Sequence, residues 1–287
     1  MRFSSNLILT VSAIILLQIS AASQSGNTNP TAARSPSPPT IEKTPDASPD
    51  NQSVDESQTE IQVNYTYENL TRGFGDWHTA SLDFSHKFRA RQTLYGSYRE
   101  TERIRQRDRE FAVGYYQPLN RKWLLLVEAG ASPTHKILPK WSALAQIERN
   151  FKNGWNVQAG YRRVEYNNAK VNLGIGGVEK YWGNNRAAYT FYLNNLEKGG
   201  TSASHRLQLN HYYGEPLNSV GVSVGFGREL ESLGIGRGVL RTDVQNFTFY
   251  GHHFFNQHWG VNYNLTLHRQ GDLYARRGGT FGVRFRF

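Results

Sequence analysis

The sequence predicts an all-β chain: a transmembrane antiparallel up-and-down β-barrel of about 14 strands, with 12 as the alternative count. Three observations predict it. Segments of about ten to fourteen residues alternate apolar and polar side chains along most of the chain, as strands crossing a bilayer at a tilt require. Short aromatic turns take turns with longer, more charged connections. All six Trp stand beside a turn or loop, where an amphipathic indole meets lipid headgroups. The composition agrees, since 27 Gly, 13% aromatic residues and one Met suit a turn-rich β protein better than a helical one.

The chain opens on Arg2, an apolar core from Leu7 to Ile19, and the small residues Ser20, Ala21, Ala22 and Ser23. Residues 1–23 thus read as a secretory signal peptide, with cleavage expected after Ala22 or Ser23. A membrane anchor is the alternative, but 13 residues fall short of the roughly twenty that a helix needs to cross a bilayer. The absence of Cys excludes a lipoprotein anchor and a disulfide framework. Residues 24–58 are rich in Pro, Ser, Thr, Asn and acids and read as a disordered periplasmic linker. Its five acids against Arg34 and Lys43 give −3, so removing it and Arg2 from the chain's +10 leaves +12 on residues 59–287.

Within 59–287 the alternation is explicit. Ile61, Val63, Tyr65 and Tyr67 oppose Gln62, Asn64 and Thr66; Ala80, Leu82 and Phe84 oppose Ser81, Asp83 and Ser85. Val220 to Phe226 and Val261 to Leu267 repeat the pattern. A soluble sandwich would also alternate, but its polar face would carry many Lys and Glu. Here that face is mostly Asn, Ser, Thr, Gly and Gln, which suits a crowded aqueous lumen. Strand parity turns Asp83, Glu128, Glu148, Arg162, Arg186, Arg206 and Arg284 inward as lumen candidates. At Gly174, Gly176 and Gly177 the alternation slips, and a bulge is expected.

The short connections YYQPLNRKW (115–123), RNFKNGW (149–155), YWGNNRA (181–187), YYGEPLNS (212–219) and HHFFNQHWG (252–260) read as periplasmic turns. RETERIRQRDRE (99–110), NNLEKGGTSAS (194–204) and LESLGIGRGVLR (230–241) read as outer loops. Trp123, Trp155, Trp182 and Trp259 then form one girdle, with Trp77 and Trp141 at the other end. Arg103, Arg105, Arg107, Arg109, Arg237, Arg241, Arg269, Arg276 and Arg277 form a cationic rim that would meet anions: lipopolysaccharide phosphate, or an acidic glycan in transit. Phe281, Val283, Phe285 and Phe287 form the lipid face of the last strand, and the terminal ring reads as the signal taken up by the barrel-insertion machinery.

At GGVEKYWGNNRAAYTFYL (176–193), AGYRRVEYNN (159–168) and YENLTRGFGDW (67–77) the chain resembles the YaiO-type outer-membrane β-barrel family of Gram-negative bacteria, over roughly 59–287. The Tyr-rich strand before a glycine hairpin and the Tyr-Trp-Gly turn carry the resemblance. It implies a barrel in the cell outer membrane but no agreed activity; some relatives resemble parts of surface-polysaccharide assembly systems, which makes glycan traffic an expectation.

Enzymatic signatures are weak. Ser85-His86 and Ser204-His205 are adjacent, so their side chains point to opposite faces of a strand and form no dyad alone. His252 and His253 alternate faces and have no acid or His at ligand spacing, so no metal is expected, and no cofactor. The sequons at Asn51, Asn64, Asn69, Asn246 and Asn264 carry no meaning in a bacterial barrel. The reading is a non-enzymatic, narrow pore or exporter for anions or surface polysaccharide, with anion selectivity expected from the +12. The alternatives are a plugged structural barrel that binds lipopolysaccharide and, last, a lipid-modifying enzyme. Its partners would be outer-membrane lipid, the insertion machinery and an acidic glycan, with no nucleic acid. Deletion of Phe287 should lower the heat-modifiable protein recovered in outer-membrane fractions while leaving assembled barrels stable; equal amounts in deletion and wild-type strains would refute the terminal ring as an insertion signal.

Overall fold

The computed structural model describes residues 57–214, 218–232 and 239–287. The expected signal peptide, the expected linker up to residue 56, and Arg237 lie outside the described residues. The strands are β1 (Gln58–Leu70), β2 (Asp76–Arg89), β3 (Gln92–Arg103), β4 (Gln106–Pro118), β5 (Trp123–Ala131), β6 (Trp141–Asn150) and β7 (Trp155–Glu165). They continue as β8 (Lys170–Trp182), β9 (Asn185–Leu196), β10 (Gly200–Tyr213), β11 (Asn218–Ser232), β12 (Val239–Phe254), β13 (Trp259–Gln270) and β14 (Tyr274–Arg286). Each strand pairs antiparallel with the next, and β14 returns to β1, so the sheet closes into a barrel.

Period-two patterning decides what each face meets. Leu265 is 62% exposed while its neighbour Asn264 is 3% exposed, and the same inversion holds for Leu267 against Thr266 and Phe281 against Thr280. Large apolar side chains face outward and polar ones are buried inward. That arrangement is stable only where hydrocarbon surrounds the wall. Outward at the end where β1 begins and β14 terminates lie Trp155, Trp182 and Trp259, all exposed, together with the half-buried Trp123. Trp141 is exposed at the opposite end. Trp77 departs from the expected girdle: it is 2% exposed and points into the lumen, packed with Leu70 and Tyr274.

Connections at the terminal end span two to four residues and those at the other end two to nine, the longest being 132–140. The expected outer loop at 99–110 is a correction. β3 runs to Arg103 and β4 starts at Gln106, leaving a two-residue turn at Ile104 and Arg105 with φ of 51° and 59°. A hairpin of this kind needs positive φ at both positions, usually supplied by Asn and Gly. Here Ile and Arg adopt it, and neither residue type marks a turn of this kind. The expected bulge at Gly174, Gly176 and Gly177 is also absent: β8 holds an unbroken register with β7 and with β9. Alternation slips there for another reason. Leu173 and Ile175 face the lumen, Ile175 against a buried apolar cluster of Tyr95, Tyr116, Leu124, Leu126 and Leu144. A register shift occurs instead between Lys87 and Arg89 at the end of β2.

The β1–β14 seam joins residues more than two hundred positions apart. Thr59 and Phe287 exchange both backbone hydrogen bonds, each 3.0 Å, so the last residue is held in the ladder. On the lumenal side Arg284 donates twice to Glu60 Oε1, at 2.9 and 2.6 Å, and Arg286 donates to Oε2 at 3.3 Å. Near the other end Arg276 pairs with Glu68 at 3.3 Å. Between them Thr66 and Thr280 share a 2.6 Å bond, and Asn262 donates to Asn64 at 2.8 Å. Gly282 makes this fit possible, since a Cβ there would lie 2.0 Å from Asn64 Oδ1. Glu60→Ala would strand two guanidiniums at the seam. It should lower the barrel's stability by about 3–5 kcal/mol, the usual cost of breaking a buried pair from one side, read as an earlier urea midpoint for loss of heat-modifiability.

Candidate functional site

The lumen collects the charged side chains of the barrel. The seven residues read as lumenal all face it. Asp83 accepts from Asn64 at 2.7 Å and from Ser81 at 3.0 Å. Glu128 binds Arg162 at 2.8 Å and accepts from the Tyr95 hydroxyl at 2.6 Å, with both partners of the ion pair almost wholly buried. Glu148 accepts from Gln146 at 3.0 Å, Arg186 pairs with Glu179 and donates to Asn210 at 3.2 Å, and Arg284 belongs to the seam. Arg206 lies on β10 opposite the buried Thr190 of β9. Sequence reasoning missed Arg99, which pairs with Glu110 at 3.1 Å inside the wall.

This pairing changes the electrostatic expectation. Glu60, Glu68, Glu110, Glu128 and Glu179 each lie against a lumenal arginine. The domain's +12 is therefore not displayed along the lumen, and net charge alone does not predict anion selectivity.

The rim also needs correction. Arg103 and Arg276, expected there, are lumenal and buried, at 0% and 1% exposed. Parity explains it: Arg103 shares a face with Tyr95, Arg99 and Thr101, and Arg276 with Tyr274 and Thr280. Both guanidiniums stack on the Trp77 ring, 4.6 and 5.3 Å from its centroid. None of the Arg103 guanidinium nitrogens has a hydrogen-bond partner among the described residues. Nearby, Gln270 donates to Glu229 at 3.2 Å and to Thr242 at 2.7 Å, and shares a 3.0 Å bond with His268.

The other rim arginines among the described residues face outward. Arg107 reaches Glu100 and Glu102, each at 3.0 Å, Arg109 reaches Glu100 at 3.2 Å, and Arg269 reaches Asp272 at 3.4 Å. Arg105, Arg241 and Arg277 are exposed. The residues 132–140 fold over the lumenal mouth. The Asp108 carboxylate accepts the backbone N–H of Ile137 at 2.6 Å and of Leu138 at 2.8 Å, and both side chains are buried against Ile104. Tyr166, in the β7–β8 connection, is buried alongside, which holds its phenol protonated well above the ordinary tyrosine range.

Neither Ser-His neighbour pair lies on one face. Ser204 is lumenal while His205 points outward to the Tyr189 hydroxyl at 2.8 Å, and His86 points outward to Thr59 at 2.8 Å. His252 contacts Ser219 at 3.0 Å from the lumenal face, and His253 lies between Tyr213 and Tyr263 at 2.6 and 3.0 Å on the outer face.

The sequence profile of the YaiO membrane beta barrel domain matches residues 58–232. The chain belongs to the YaiO family. The match covers β1 to β11, and β12 to β14 lie beyond it. No curated protein matches the chain. Among solved structures, the YaiO chain is similar to a bacterial polysaccharide outer membrane secretin at 10% identity, covering 81% of this chain and 99% of that one, with a TM-score of 0.48. It is similar to Salmonella typhi OmpF in complex with daunomycin at 9% identity, 81% and 98% coverage and a TM-score of 0.45, and to the KdgM porin at 9% identity, 79% and 99% coverage and 0.42. This YaiO chain is a β-barrel of the bacterial outer membrane. Asp108→Ala removes two charge-assisted bonds to the 132–140 segment, and amide exchange at Ile137 and Leu138 should accelerate by about tenfold or more.

Proposed function

We propose that this YaiO barrel is a narrow passive conduit for anions or an acidic surface glycan, closed at rest by its own lumenal side chains, and that it performs no catalysis. Arg103 carries the reading. A guanidinium buried without a hydrogen bond is costly, and here the Trp77 ring and the charge of Glu68 offset that cost in part. Its use is to meet an anion once the mouth opens. Trp77 lies against both guanidiniums, and a carboxylate that drew them off would free its ring for the sugar that bears it. Asp108 and the 132–140 segment supply the cover. The partners on this reading are the transported anion, the outer-membrane lipid around the wall, and the insertion machinery that takes up the closing strand.

The buried Glu128–Arg162 pair favours a second reading, a filled structural barrel. Planar bilayers separate the two. On the conduit reading, wild-type protein gives brief anion-preferring steps, Asp108→Ala lengthens them, and Arg103→Gln brings the anion-to-cation permeability ratio close to one. Silence of both wild type and Asp108→Ala at high protein concentration would establish the filled barrel instead.

A further inference from the structure

The wall parts between β10 and β11 at its outer end. Their shared ladder runs from Tyr213↔Asn218 to Ser204↔Gly227 and stops there, although both strands continue. β10 stays on β9 as far as Gly200↔Leu196, and β11 stays on β12 as far as Ser232↔Val239. Gly227 sits at the parting, where a Cβ would lie 2.5 Å from Ser204 Cα, so the last rung closes tightly and the strands diverge beyond it. The gap is a cleft of about 550 Å³. The facing strand edges carry no ladder across it, and such edges are not stable against hydrocarbon.

The depth of the cleft is readable from the outer face. Leu207, Phe226 and Phe247 are exposed and mark the outer margin of the apolar band. One step beyond, Arg228 and Asp243 form a 3.0 Å pair with both side chains open to solvent. The cleft straddles that margin, at the level of lipid headgroups. Phe226 and His205 line it on the side of the apolar band, Arg228 and Asp243 one rung beyond, and Leu230 and Arg241 farther out still, with Ala203 across the parting. Arg241 reaches across toward Gly200, where its Nη2 lies 3.4 Å from the place a Cβ would occupy.

We infer that this cleft holds the phosphorylated headgroup of an outer-leaflet lipid. Arg241 and Arg228 take the phosphate, two guanidiniums against the single carboxylate of Asp243, while Phe226, on the side of the apolar band, takes the first methylenes of the acyl chains. Headgroup oxygens then accept from backbone N–H groups left without a ladder. The cleft opens on the outer face, with Ser202 and Val244 at its lumenal wall, and lipid retention there does not depend on conduction.

The test uses the full chain in detergent with bisphosphorylated lipid A, its dephosphorylated form and inorganic phosphate, read by native mass spectrometry. Wild type should retain one bisphosphorylated lipid. Arg228→Gln and Arg241→Gln together with Asp243→Asn should weaken it at least tenfold, with heat-modifiability unchanged, and the dephosphorylated lipid should bind as weakly to wild type. Arg277→Gln, an outward arginine elsewhere, should bind as wild type does. The proposal is overturned if the triple variant or the phosphate-free lipid binds with wild-type affinity, if Arg277→Gln loses as much, or if millimolar inorganic phosphate displaces the lipid.

Discussion

The pairing of the first strand with the last is the interaction on which the rest of the molecule depends. Within a bilayer no backbone group can turn to water, so an unclosed sheet would leave two edges unsatisfied through the hydrocarbon. Closing it joins Thr59 to Phe287 across nearly the whole domain, against the loop entropy of every strand between. Backbone bonds alone would accept a slipped register. The lumenal contacts of Glu60 with Arg284 and Arg286, of Thr66 with Thr280 and of Glu68 with Arg276 specify one register at three heights.

The same logic fills the interior. A barrel of fourteen strands lies between those whose side chains meet and those that enclose open water. This one uses long side chains to bridge the difference: arginines extend from the wall and end on carboxylates of neighbouring or next-neighbouring strands, as Arg162 of β7 does on Glu128 of β5. Beside the ionic region, Tyr95, Tyr116, Leu124, Leu126 and Leu144 give the lumen an apolar sector. The interior therefore behaves as a packed core of mixed chemistry, in which most arginines end on a carboxylate and Arg103 does not.

Much of this was legible in the sequence, because period two is rigid. Once Asp83, Glu128 or Arg162 is placed on a strand, its face follows, and all seven residues so assigned do face inward. What failed were the positions where strand limits had to be known first. Arg103 looked like loop because the hairpin at Ile104 and Arg105 lacks Gly and Asn. With β3 continued to its true end, parity would have turned it inward. Arg276 failed in the same way, at the start of β14. In β8 the apolar residues Leu173 and Ile175 take the lumenal face, so hydropathy alone pointed to a bulge. The parting of β10 from β11 is a long-range event, and only Gly225 and Gly227 hint at it locally.

The placement of Trp77 has an optical consequence. Trp123, Trp141, Trp155, Trp182 and Trp259 look outward, while Trp77 lies in the lumen beneath the guanidiniums of Arg103 and Arg276. Its excited-state dipole sits in a strong local field of two cations, shielded from lipid-dissolved quenchers. A chain in which the five outward indoles are replaced by Phe thus carries a fluorophore that reports the interior alone, and a change in its emission maximum would register rearrangement of the mouth without a current being measured.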